Sequence, residues 1–284
     1  MVAAATVLVL LYLALQGLGP RVPPLNDEPG MAFVDVDDEA LRRVLDGNVS
    51  RDGQVDYASL VAHPGDLDRW YRSVAWLDPI ALQGWDEPTR IAFWCNVYNG
   101  LTLLAIRENL PIRRTLTGTL AGAPAGSIRQ LPGVWEDLTF QAVGEPITLN
   151  HVEHGILRVR FTEPRIHVAI NCASVGCPPL RNEPFTGARL DALLDDQFER
   201  FLASPERFSI DREAGRVGLS QILEWFGGDF PPPTSGFGAQ PPDLRGPLAF
   251  VARYLPEDDA AWLREADYEV TFLPYDWHLN AQSD

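Results

Sequence analysis

Residues 91–106, which read IAFWCNVYNGLTLLAI, limit the folds open to this chain more than any other segment. The run has no charged residue and is apolar on almost every side of a helix, so it predicts a central helix covered by other elements. Asn96 and Asn99 lie three positions apart on one side of that helix. A buried amide needs hydrogen-bond partners, so these two either tie down a crossing loop or bind a ligand.

The segments around this helix alternate between helical and strand-like patterns. Helices are predicted from DVDDEALRRVLDGNV and TLNHVEHGILRVR and at 67–78, 88–108, 189–203, 219–226, 246–254 and 257–266. Strands are predicted from LTFQAV, RIHVAINC and DYEVTFLPYDW, and surface loops at 115–133 and in FPPPTSGFGAQPPDLRGP. This order indicates a single α+β domain over residues 35–284, in which a small, mostly antiparallel sheet is packed by many helices.

The first nineteen residues, MVAAATVLVLLYLALQGLG, are uncharged and form one apolar run, and a proline-rich spacer follows at 20–34. Such a run is typical of a signal peptide or a membrane anchor. The basic residues that normally precede a cleaved signal are missing, which leaves cleavage open. We therefore expect an exported protein, either periplasmic or membrane-anchored.

Net charge and basic-residue content exclude several functions. A formal charge of −16 repels nucleic acid and anionic lipid, so no nucleic-acid partner is expected, and membrane contact is expected only through an uncleaved N-terminal segment. All 23 basic residues are arginine, which excludes Schiff-base chemistry, pyridoxal phosphate anchoring and a P-loop lysine. The sequence predicts no cofactor, and the partner it predicts is an unidentified small molecule or peptide.

The stretch TLNHVEHGIL places a carboxylate in an apolar row of a helix. Glu153 lies between Leu149 and Leu157 at i, i+4 spacing, so we expect it to be buried and paired, either with an arginine or within a site. His151 and His154 at i, i+3 are too few to indicate a metal site, because structural zinc takes four ligands and catalytic zinc three protein ligands.

The stretch IHVAINCASVGCPPL, residues 166–180, carries two cysteines. Strand alternation predicts His167 and Asn171 on one face and Cys172 on the opposite, core-forming face. Three interpretations stay open: Cys177 is a nucleophile whose thiolate His167 favours, Cys172 and Cys177 form a disulfide, or both thiols only fill space. An oxidising compartment favours the disulfide.

Two further residues complete the candidates. Cys95 lies in the apolar helix and is interpreted as a buried thiol. Asp276, in YDWHLN, either orients a histidine or pins the terminal strand.

Six pieces in this order resemble the family named domain of unknown function 547: VDYASL, IAFWCNVYNGLTLLAI, LNHVEHGILR, PRIHVAINCASVGCPPL, LSQILEWFGGDF and YDWHLN. Cys95 departs from the family pattern, in which an aliphatic residue is usual. The family name implies no activity. By this resemblance the motif positions are Asn96, Tyr98, Asn99, Glu153, His154, His167, Cys172, Cys177, Asp276 and Trp277.

Two functions are consistent with these residues, and whether the protein is an enzyme stays open. In the first, a thiol or acid/base hydrolase or acyl transferase uses the catalytic residues His167, Cys177, Glu153 and Asp276. Asp276 or Asn171 orients His167. The residues expected to bind the substrate are Asn96, Asn99, His154 and Asn171. In the second, a non-catalytic envelope module binds a peptide or small metabolite in the same cleft. The order of elements is also that of papain-like and transglutaminase-like thiol enzymes, which is an analogy only.

Overall fold

The computed structural model describes residues 19–25, 33 and 35–282. Most of the predicted targeting segment and part of the spacer lie outside these residues. The α-helices are α1 (Asp38–Asn48), α2 (Tyr57–Ala62), α3 (Gly65–Ala75), α4 (Pro79–Gln83), α5 (Glu87–Asn109), α6 (Leu116–Leu120), α7 (Arg158–Arg160), α8 (Ile166–Ala169), α9 (Leu190–Leu202), α10 (Gln221–Trp225), α11 (Pro242–Val251) and α12 (Glu257–Glu265). A π-helix (His151–Leu157) leads into α7, and short 3-10 turns lie at Ile128–Gln130, Gly187–Arg189, Gly227–Asp229 and Ala252–Tyr254.

The strands form two small sheets. They are β1 (Phe140–Ala142), β2 (Glu145–Ile147), β3 (Phe208–Asp211), β4 (Arg216–Ser220) and β5 (Glu269–Leu273). The first two form an antiparallel hairpin whose turn residues, Val143 and Gly144, both have positive φ, as a two-residue hairpin turn requires. In the second sheet, β4 pairs antiparallel with β3 and parallel with β5. The predicted α+β class, with many helices and mostly antiparallel pairing, is confirmed.

Helix α5 is the centre of the molecule, as its apolar sequence predicted. Asp86 caps its first turn by accepting a hydrogen bond from the Thr89 N–H, and every residue from Ile91 to Arg107 is buried. Helices α2, α3 and α9 pack against it. Helix α3 approaches so closely that a Cβ at Gly100 would overlap the ring of Trp70.

The buried apolar residues form two clusters, which meet at α8. The first cluster surrounds α5, helices α1 to α3 and the first half of α9, and the second surrounds the second half of α9, β4, α11 and α12. Ile166 and Ala169 belong to the first cluster, whereas Val168 belongs to the second. The short helix α8, which carries His167, therefore lies at the boundary between them.

Residues 165–172 correct one prediction. The expected strand is instead the helical turn α8, followed by extended backbone from Ile170. A short apolar run fits a buried strand or a buried helical turn equally well, and here tertiary packing decides between them. The alternation that placed His167 and Asn171 on one strand face is therefore wrong.

Two predicted loops also contain helices. Helix α6 lies inside 115–133, and α11 begins at Pro242, where the first turn of a helix tolerates proline. Among the described residues, no helix combines the length and apolar character that crossing a membrane requires.

Candidate functional site

A cavity of about 250 Å³ opens where the two apolar clusters meet. Its walls come from α5, the π-helix, α8 with the following loop, α10 and the segment after β5. The residues of this lining that can bind or release a proton include Tyr98, Glu153, His154, His167, Cys172 and Cys177. A largely apolar concave surface with a few convergent polar groups is typical of a ligand site.

The π-helix supplies two of these groups, Glu153 and His154. Glu153 is 8% exposed, so its predicted burial is confirmed. Its carboxylate lies 4.0 Å from His154 Nε2 and, within the described residues, makes no ion pair with an arginine, because Arg158 binds Asp229 instead. The wider turn of a π-helix is frequent at functional sites, and here it carries both side chains to the cavity.

Burial raises the pKa of Glu153 from its ordinary 4.5 to about 7. A hydrogen bond from the Tyr98 hydroxyl and the positive charge of Arg158 oppose this shift, and the negative charge of Asp229 adds to it. Removal from water therefore outweighs the favourable contacts of the carboxylate. Near neutral pH the carboxyl group exchanges a proton readily.

His167 is held by a carboxylate that lies far away in sequence. Its Nε2 is 2.8 Å from Asp229 Oδ2, and its ring stacks on Phe226 with centroids 4.1 Å apart. Arg158 donates two hydrogen bonds to the same carboxylate, at 2.6 and 3.0 Å. Hydrogen bonds from His167 and Arg158 hold the pKa of Asp229 well below its usual range. Because Asp229 is ionised, Nε2 carries the proton and Nδ1 is left as an acceptor.

The Nδ1 atom of His167 is buried and has no hydrogen-bond partner in the part of the chain that is described. Burial lowers the pKa of this imidazole, and the bond to Asp229 only partly offsets the shift. Burial also lowers the pKa of His154, whose Nδ1 is 2.9 Å from Arg158 Nη1. Both imidazoles are therefore neutral near pH 7.

The two cysteines of the following loop are free thiols in contact, with their Sγ atoms 2.6 Å apart. Tyr275 donates to Cys177 Sγ at 3.0 Å, and its hydroxyl lies 3.3 Å from Cys172 Sγ. The hydrogen bond with Cys177 lowers the pKa of Cys172, whereas burial raises that of Cys177. The structure contains no disulfide here, so the disulfide stays a prediction. Cys95 is buried and free.

Three asparagines that were predicted to bind a ligand instead form hydrogen bonds with backbone groups, and they do not line the cavity. Asn96 pairs with both backbone groups of Phe185, and Asn99 bonds the Ala169 carbonyl and the Asn171 N–H. The Asn171 side chain bonds the Pro178 carbonyl and the Ala173 N–H, which closes the cysteine loop. Asn96 and Asn99 were expected either to fix a crossing loop or to bind a ligand, and the structure supports the first of these interpretations.

Asp276 does not orient His167 and is absent from the lining of the cavity. Its exposed carboxylate accepts hydrogen bonds from the N–H and Nδ1 of His278, at 2.8 and 2.6 Å. Asp229 holds His167 instead of Asp276 or Asn171. Asp229 is the second-last residue of the quoted piece LSQILEWFGGDF, and its place in that piece was the only sequence signal for it.

Aromatic side chains form the outer wall of the cavity, and sequence patterns predict little of this wall. Tyr275 lies 4.5 Å from Trp277 and 5.0 Å from Trp225, and Trp135 lies 6.4 Å from Trp277, measured between ring centroids. Trp225 is 45% exposed at the mouth. No three His, Cys, Asp or Glu side chains of the described chain are grouped as ligands for a metal ion.

The model of the family described as "Protein of unknown function, DUF547" matches residues 82–202. The resemblance is confirmed over this range, which contains α5, the π-helix, His167 and both loop cysteines. Asp229 and the aromatic residues after it lie outside the match. Searches of curated proteins and of solved structures each returned no match. The analogy to papain-like and transglutaminase-like enzymes is not confirmed.

Proposed function

We propose that the cavity is the active site of an exported or membrane-anchored hydrolase or acyl transferase that uses acid/base catalysis on a small, largely apolar substrate. One observation carries this proposal. A carboxyl group with a pKa of about 7 and an imidazole with an unpartnered Nδ1 line the same cavity. Titratable groups whose environments favour opposite roles are the usual basis of acid/base catalysis.

His167 is the proposed base. The Asp229 carboxylate fixes its orientation and its tautomer, as the third member of a catalytic triad does. Neutral Nδ1 accepts a proton from water as the water oxygen attacks the carbonyl carbon of an ester or amide. Asp229 stabilises the imidazolium that forms.

Glu153 is the proposed acid. At neutral pH a substantial fraction of its carboxyl group is protonated, and this proton passes to the leaving oxygen or nitrogen when the carbonyl–heteroatom bond breaks. The imidazolium and the carboxylate that remain return to their starting forms by exchanging protons with solvent after product leaves.

A thiol route is the second candidate chemistry, and it favours Cys172 over Cys177, the nucleophile expected from the sequence. The Sγ of Cys172 has the Cys177 thiol, the Ser174 hydroxyl and the Tyr275 hydroxyl within hydrogen-bond reach, which stabilises a thiolate. In this route the thiolate attacks the carbonyl, Glu153 protonates the leaving group, and water or an acceptor alcohol releases the acyl group.

The alternative function is binding without catalysis. The aromatic wall of Trp135, Trp225, Tyr275 and Trp277 favours it, because such rings bind a ligand through apolar contact alone. A peptide or small metabolite would then occupy the cavity, and Glu153 and His167 would donate and accept hydrogen bonds to it.

Hydrolysis of p-nitrophenyl esters and of coumarin-labelled peptide amides tests the proposal. We expect Glu153→Gln and His167→Gln to lower kcat/KM by about 100- to 10,000-fold, the usual contribution of a positioned acid or base. The matched control is Glu145→Gln, which replaces an exposed carboxylate outside the cavity. Cys172→Ser separates the routes, because only the thiol route loses activity in this variant.

The pH profile gives an independent check. The active form holds neutral His167 and protonated Glu153, so kcat/KM rises through the imidazole pKa, below 6.5, and falls above about 7. Glu153→Gln should abolish the fall at high pH. A variant that retains the fall shows that Glu153 is not the acid. Ligand-dependent quenching of tryptophan fluorescence without hydrolysis of any probe would favour binding instead.

A further inference from the structure

Two leucines of α6 are exposed side by side. Leu116 is 76% exposed and Leu120 is 79% exposed, and their i, i+4 spacing places them on one face of the helix. Arg113 and Arg114 precede them and are also exposed. These four residues are called the leucine–arginine patch below.

The two arginines of the patch have free charges. Within the described residues, neither Arg113 nor Arg114 makes an ion pair, although the chain carries 39 acidic residues. Eleven of the 23 arginines, among them Arg43, Arg158 and Arg165, pair with carboxylates in the described part of the chain, and the two arginines of the patch do not. A cationic surface beside exposed leucines in an otherwise acidic protein is complementary to an anionic surface that also accepts apolar side chains.

The chain enters the described structure next to this patch. Arg21 lies directly after the uncharged apolar run of residues 1–19 and the proline that follows it, and it exchanges two hydrogen bonds with Asn109, the last residue of α5. Arg113 follows Asn109 by four residues, which reach at most about 14 Å. The predicted membrane segment therefore joins the domain close to the patch.

We infer that the leucine–arginine patch is a membrane-docking surface, which places Arg113 and Arg114 on anionic lipid headgroups and Leu116 and Leu120 in the acyl boundary. Basic residues beside a membrane segment are attracted to anionic lipid, and apolar residues on a short helix insert at the interface. The protein as a whole carries a net charge of −16, which the same bilayer repels, so docking needs a face on which basic and apolar residues are combined, as they are in the patch. The inference rests on the proposed membrane location, not on the chemistry of the cavity.

The patch also connects to the wall of the cavity. Arg129 donates to the carbonyl of Ala121, directly after α6, at 3.3 Å, and its guanidinium lies 4.8 Å from the ring centroid of Trp277. One side chain thus joins the docking helix to the aromatic wall. A docked molecule holds that wall close to the lipid surface.

Fluorescence quenching in the full chain tests the inference. Leu120→Cys is labelled with an environment-sensitive nitrobenzoxadiazole dye and mixed with vesicles of phosphatidylcholine and phosphatidylglycerol, with or without brominated acyl chains. The matched control is Ile80→Cys, because Ile80 is 75% exposed but lies on α4, near the opposite end of α5 from Asn109. Helix α5 has 23 residues and is about 34 Å long. The unsubstituted chain gives the labelling background of the native cysteines.

We expect the dye at position 120 to brighten severalfold on vesicles and to be quenched by the brominated lipid, while the dye at position 80 does neither. Arg113→Glu with Arg114→Glu in the Leu120→Cys chain should remove the brightening while the protein still floats with the vesicles. Flotation without quenching at 120, or equal quenching at both positions, overturns the docking surface alone. A chain that does not float overturns the membrane location as well. Brightening that needs an added envelope protein identifies a protein partner and also overturns the inference.

Discussion

Glu153 and His167 respond in opposite directions to the same burial. Removal from water raises the pKa of the carboxyl group and lowers that of the imidazole, so both are favoured in their neutral forms. The charges beside them, on Asp229 and Arg158, cancel by pairing with each other. The cavity can therefore exchange protons with a ligand without holding an isolated buried charge.

The stability of the protein should report the Glu153 pKa without any substrate. The folded-state pKa of about 7 lies above the ordinary 4.5, so between these values the folded state binds a proton that the unfolded state has lost. The free energy of unfolding contributed by this group therefore falls as pH rises through that window, by about 3 kcal/mol in total. We expect the difference in unfolding free energy between wild type and Glu153→Gln, from urea titrations at several pH values, to follow this course. A difference that is flat between pH 4.5 and 7 would contradict the shift.

Sequence reasoning finds the residues whose signals are local. Burial of Glu153 is predictable because it sits in one row with Leu149 and Leu157, and all three are buried. Asp229 is not predictable because it bonds His167 across 62 positions, and no spacing rule reports such a contact. The expected orienter Asp276 pairs instead with His278, two residues away.

The helices and strands also divide into those with a local sequence signal and those that depend on distant contacts. Helix α5 could be predicted because a run that is apolar on every side has no stable alternative to burial. Residues 165–172 could not, because a run this short satisfies a strand and a helical turn equally, and the meeting of two clusters at α8 decides the matter. The π-helix has no sequence signal that distinguishes it from an α-helix.

Close packing between α3 and α5 leaves no room for a side chain larger than that of glycine at position 100. A Cβ at Gly100 would overlap Trp70, which is fully buried, so Gly100→Ala should lower the free energy of unfolding by about 1–3 kcal/mol despite the helix preference of alanine. At Gly47, in α1, an added Cβ would have no atom within 4 Å, so the matched Gly47→Ala should raise stability by about 0.5–1 kcal/mol. Urea denaturation of both variants measures the pair. Equal effects would show that helix propensity alone governs both positions.

The whole molecule assembles its cavity from two parts of the chain. The part that matches the family supplies Glu153, His167 and the thiols, and the part beyond residue 202 supplies Asp229 and most of the aromatic wall. The α+β class was predictable from the order of elements, whereas this convergence depends on contacts between distant segments. The predicted location outside the cytoplasm stays a prediction, because residues 1–18 lie outside the described chain.

The oxidation state of Cys172 and Cys177 tests the prediction that the whole protein is exported from the cytoplasm. In full-length protein made in cells and alkylated after unfolding but before reduction, we expect only Cys95 to be labelled. An oxidising compartment would join Cys172 and Cys177, whose sulfur atoms already touch. Mass spectrometry of the membrane and periplasmic fractions gives the readout. Three labelled cysteines, or protein confined to the cytosol, would contradict the prediction.

The Tyr275 hydroxyl contacts both thiols, so neither thiol has its complete surroundings until Tyr275 has been synthesised. Cys172 and Tyr275 are 103 positions apart, so a ribosome adding about 5–20 residues per second makes the tyrosine about 5–20 s after the cysteine. Throughout that interval the nascent chain carries both sulfur atoms without their hydroxyl donor or their aromatic cover. The redox conditions that the growing chain meets, more than those around the finished protein, therefore act on this thiol pair first.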